Sequence, residues 1–122
     1  MRYEEFVHRV ATAANIDGEQ AKTITRSVLE TLGERLERTH RNHLADQLSE
    51  ELREMVLDRP VTRRFLLEEF YNRVAARADL RHSPAVRRTK AVMEVLRQAV
   101  SEGELEDIRA ELPSEYGELF GK

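Results

Sequence analysis

Apolar residues recur along this chain three and four positions apart, the spacing of one face of a helix. Phe6, Val10 and Ala14 mark a first helix over about 3–14. Asp17-Gly18-Glu19-Gln20 then breaks and restarts the chain, with Asp17 as N-cap and Gln20 three residues on, the pattern of a capping box. Ala21, Ile24, Val28, Leu32 and Leu36 form the stripe of a second helix, about 18–38. After the polar link "RTHRN" comes a short third helix with Leu44 and Leu48. Ser49 is placed to cap a fourth that carries Leu52 and Val56.

Pro60 stops that helix, and Thr62 is placed to cap a fifth over 63–78, with Phe65, Leu66, Phe70 and Val74 inward. Ser83-Pro84 reads as N-cap and first helical residue of a helix over 84–100. Its apolar pairs Val92-Met93, Val95-Leu96 and Ala99-Val100 widen the stripe, which predicts a central helix, more buried than 18–38. Ser101 and Glu104 form another capping-box pattern, opening a helix to about 111. Pro113 and Ser114 open the last one, with Tyr116 and Phe120 on one face.

The pattern repeats. Shifted by 64 residues, "EEFVHRVATAANI" (4–16) lies on "EEFYNRVAARADL" (68–80), and the alignment continues without a gap to 56 and 120. Fifteen of 53 positions are identical, and most of the other apolar positions stay apolar. A unit of this size buries little surface alone. The expectation is an all-α bundle, two four-helix repeats (4–56 and 68–120) packed together within 1–122 as a single domain.

Composition agrees. Aromatics make up 6%, Gly and Pro are few, and 35% of residues are charged, a profile of helices with long solvated faces. There is no Cys, which removes disulfides and thiolate chemistry. No run approaches the ~18–20 apolar residues of a membrane span, and "MRYEEFVHRV" lacks a signal-peptide pattern. The expected compartment is the cytoplasm.

The stretch "KAVMEVLRQAVSEGELEDIRAELPSEYGELFG" (90–121) resembles the signature of the DUF2267 family, small helical proteins that often carry two such repeats. "FVHRVA", "VLETLGERL" and "LADQLSEELREMV" resemble the same family's phrases in the first half. Ser49 stands where the second half has the family's proline, Pro113. The resemblance implies the helical fold and the repeat. It implies no catalytic residue, and no cofactor is expected.

Candidate chemistry is sparse. His40 and His43 have the spacing of one helical face and are weak metal candidates without an evident third ligand. Their counterparts one repeat later are Glu104 and Asp107, which suggests solvated polar positions. No phosphate loop or nucleophile elbow is present. Residues 59–97 hold ten Arg or Lys and four acids, while 98–122 hold two bases and seven acids. The favoured explanation is internal charge compensation. The rival is a nucleic-acid surface made of Arg81, Arg87, Arg88 and Lys90. Leu67, Tyr71 and Val86 lie off the expected stripes and are candidates for exposed partner contacts, set against a widened core. The leading expectation is a non-enzymatic protein-binding module. Nucleic-acid binding is the alternative, and an enzyme or metal-binding protein the second.

Overall fold

In the computed structural model, which describes residues 1–62 and 64–121, seven α-helices and a closing 3-10 helix follow in order. They are α1 (Tyr3–Ala14), α2 (Gly18–Arg35), α3 (Arg38–Asp46), α4 (Glu50–Leu57), α5 (Leu67–Ala78), α6 (His82–Ala99), α7 (Glu102–Glu111) and the 3-10 helix Ser114–Phe120. The described residues contain no strand.

α1 buries Phe6, Val7 and Val10 and ends at Asn15, which takes the left-handed conformation at φ 56° and ψ 54°. Asn tolerates this backbone, and the turn lets the Ile16 N–H reach the Ala11 carbonyl at 3.0 Å. Asp79 does the same after α5, at φ 55°. The capping box before α2 is present. The Gln20 N–H donates to Asp17 Oδ1 at 2.8 Å, and the Asp17 N–H donates to Gln20 Oε1 at 3.1 Å.

The expected order of burial between 18–38 and 84–100 is reversed. Ser27 to Leu36 are buried without a break, whereas α6 buries one face only. α2 packs against α1, α4, α5 and α6. Gly33 is one reason. A Cβ there would stand 1.9 Å from the Val56 carbonyl oxygen, so α4 approaches this helix backbone to backbone. Two buried hydroxyls are satisfied along the helix itself: Ser27 donates to the Thr23 carbonyl and Thr31 to the Ser27 carbonyl, both at 2.8 Å.

Four cap expectations change. α2 ends at Arg35 rather than 38, because Leu36 turns extended and buries. Ser49 precedes α4 without a capping bond, and its hydroxyl is buried without a partner. α6 starts at His82, with Ser83 and Pro84 inside its first turn, where a missing N–H costs no helical bond. The fifth helix begins at Leu67 instead of 63, and Arg63 lies outside the described residues. Phe65 stays outside the helix because its carbonyl accepts Arg35 Nε–H and the Tyr116 hydroxyl, both at 2.7 Å. That places Leu66 outward, 58% exposed, where the periodicity had it inward.

Candidate functional site

The buried half of α2 carries charge. Glu34 takes Arg77 at 2.8 Å and Arg73 at 3.2 Å, both from α5. Burial pushes the Glu34 carboxyl up, but hydrogen bonds and charges from Arg77 and Arg73 outweigh it and hold the pKa below the usual range. Glu30 faces Arg26 and Arg59. Arg73 also lies 3.9 Å above the Phe65 ring. Each of these carboxylates is occupied by arginine, so the arrangement ties α5 to α2 and offers no free acid or base.

At its C-terminal end, α2 opens onto a different setting. Arg35, 2% exposed, sits beside Phe65 and Tyr116, and its second terminal nitrogen, Nη1, has no hydrogen-bond partner. The nearest anion is Glu111, at 3.9 Å. The Glu111 side chain, 4% exposed, accepts the Glu37 backbone N–H on Oε2 at 2.9 Å and meets His40 Nδ1 with Oε1 at 2.6 Å. The bond to Glu111 raises the His40 pKa against the opposing effect of burial, and the charges of Glu37 and Asp107 add to it. The Glu37 carboxylate in turn holds Arg64 at 3.0 Å. Burial pushes the Tyr116 phenol up to about 12, so it remains a donor to Phe65.

These groups border a cleft of about 350 Å³ lined by Arg35, Arg64, Phe65, Leu66, Glu111, Leu112 and Pro113. It lies where the end of α2 and the link before α5 meet the end of α7. Alongside runs the seam between α3 and α7. Glu104 on α7 is buried there, with Oε2 unpartnered, and burial raises its pKa while His43 and His40 pull it down and Asp107 raises it. Ser101 caps α7 by accepting the Glu104 N–H at 3.2 Å, but Glu104 does not complete the box. Gln47, the residue after α3, instead accepts the Ser101 N–H at 2.8 Å.

The profile of DUF2267, described as an uncharacterized conserved protein family, matches residues 3–119, nearly the whole chain. The chain belongs to the DUF2267 family. No curated protein matches it. No helix among the described residues of this DUF2267 chain is long and apolar enough to cross a membrane.

Within the DUF2267 fold the residues singled out from sequence fall into three groups. His40 joins Glu111 and Glu37, whereas His43 is exposed and outside that group. Leu67 and Tyr71, candidates for exposed contacts set against a widened core, are buried as a widened core would have them, and Val86 is half-buried against the core. Tyr71 turns inward because its hydroxyl donates to Glu118 at 2.6 Å and its ring meets His82 edge-on. Arg81, Arg87 and Lys90 are exposed and Arg88 is half-buried. Arg87 donates to Ser83, and Lys90 pairs with Glu118. Much of the basic segment is turned to acidic neighbours through Arg59, Arg64, Arg73 and Arg77. Sequence reasoning missed Arg35, Glu37 and Glu111. No local signal marked them, because Glu111 meets Glu37 and His40 from 74 and 71 positions away.

Proposed function

We propose that this chain is a duplicated helical scaffold acting in the cytoplasm as a non-enzymatic protein-binding module, with the cleft at the end of α2 as its docking site. Several features support duplication and a single packed domain. The bounds of α1 and α5, and of α2 and α6, differ by 64 residues at both ends. Asn15 and Asp79, equally spaced, are both left-handed. Thr25 and Thr89 are both fully buried with unpartnered hydroxyls. α2 packs on α5, α1 on α6, and α3 on α7.

The observation that carries the binding proposal is Leu66, a large apolar side chain left 58% exposed on the rim of the cleft, beside Phe65, Leu112 and Pro113. Arg64, largely exposed beyond its contact with Glu37, adds positive charge to the same rim, and buried Arg35 lies beneath it. The partner is therefore a protein segment that sets a large aliphatic residue against Leu66 and a carboxylate toward Arg64. The pairing of the buried carboxylates Glu34 and Glu111 favours a structural use for them over a catalytic one.

Photo-cross-linking from position 66, with the captured segment sequenced, tests this. The expected segment is acidic and aliphatic, and capture falls in an Arg64→Ala background. Capture of nucleic acid, or of segments unaffected by Arg64→Ala, would overturn the proposal.

A further inference from the structure

We propose that Glu37, His40 and Glu111 form a binding site for a divalent first-row transition-metal ion of the Zn²⁺ or Mn²⁺ class, held between α3 and α7. One ligand atom from each of the three lies within 4.8 Å of the others, the only such group found among the described residues. The donors come from two places in the chain. Glu37 caps α3, His40 stands one turn in, and Glu111 ends α7. An ion there would fasten the two halves together.

Outer contacts hold the two carboxylate donors. Glu111 Oε2 is held by the Glu37 N–H and faces Arg35, which leaves Oε1 turned toward His40. Arg64 holds the Glu37 carboxylate in the same way. Such outer contacts fix ligating carboxylates in metal sites. Metal–N and metal–O bonds run about 2.0–2.2 Å, so donors around a common ion stand roughly 3–3.5 Å apart. Reaching that spacing takes side-chain rotation of Glu37 and His40, which are partly exposed, while buried Glu111 stays in place.

One imidazole nitrogen and two carboxylate oxygens suit a borderline divalent ion, with water completing the shell from the open side. Calcium prefers six to eight oxygens. A separate observation points to the same seam. Glu104 is buried there with Oε2 unpartnered. The seam thus holds a buried carboxyl oxygen that its own hydrogen bonds leave unsatisfied.

The test is isothermal titration of the tag-free, chelator-treated full chain with ZnCl₂, MnCl₂ and MgCl₂, with melting temperature as a second readout. One Zn²⁺ per chain is expected, bound more tightly than Mn²⁺, with no saturable Mg²⁺ binding and a raised melting temperature. His40→Ala and Glu37→Gln should each weaken Zn²⁺ by at least about tenfold, and His43→Ala should leave it unchanged. Glu37→Gln decides the matter if His40→Ala fails to fold. Absence of saturable Zn²⁺ and Mn²⁺ binding, or Zn²⁺ binding that survives Glu37→Gln, would overturn the proposal.

Discussion

α2 and α6 are both 18 residues long, and their apolar stripes align except where Ile24 falls on Arg88, yet they do opposite work. α6 is the more apolar to the eye and keeps a solvated face. α2 carries Glu30, Glu34 and Arg35 and buries all three. The difference lies at a few aligned positions. Gly33 faces Arg97, Thr31 faces Val95, and Glu34 faces Gln98. Glycine admits the α4 backbone against α2. On α6, Arg97 fills the corresponding space and reaches toward Gly121. Buried charge is costly unless paired, and α5 supplies the pairs through Arg73 and Arg77. Charge density along a helix therefore did not indicate solvent here.

Removing the element that covers α6 should have the largest effect. Deleting 113–122 takes away buried Tyr116, Leu119 and Phe120; at about 1.5–3 kcal/mol for each large side chain, thermal melting should show severe destabilisation or loss of folding. An unchanged melting temperature would show that the segment contributes nothing to the core. Next, Gly33→Ala should cost about 3 kcal/mol or more, because the clash is with backbone rather than a flexible side chain. Its counterpart Arg97→Ala should cost less than about 1 kcal/mol, and urea unfolding of the two variants breaks the comparison if they match.

Legibility followed the same division. The helix count, the capping box at Asp17 and Gln20, α1, and the inward Tyr116 and Phe120 were readable because they depend on local spacing and caps. The start of α5 was not, because two long-range donors, Arg35 and Tyr116, hold Phe65 out of the helix. The site was half-readable. His40 was visible as a candidate, but its partners arrive from residues 37 and 111, one of them 71 positions away. Leu67 and Tyr71 could be read either as exposed contacts or as a widened core, because a stripe marks one buried face while α5 is covered by both α2 and α6.

Smaller effects sharpen the charge difference. Glu34→Gln should cost about 1–3 kcal/mol by leaving two arginines underpaired, against less than about 0.5 for Gln98→Ala. The pH dependence has a definite sign. Glu34 holds its proton less tightly folded than unfolded, so its contribution is full above the ordinary glutamate pKa of about 4.3 and fades as pH falls below it. Acid unfolding of Glu34→Gln should accordingly show a shallower loss of stability in that range than the parent chain.

The central claim is that the charged half of α2 is interior. Because the chain has no cysteine, single replacements report on one site each. Ser27→Cys and Ala91→Cys occupy aligned positions on α2 and α6, the first buried and the second half-buried. Thiol-labelling rates under native conditions test the claim directly. Ser27→Cys should label only through unfolding, about a thousandfold or more slower than Ala91→Cys. Equal rates at the two positions would contradict the account.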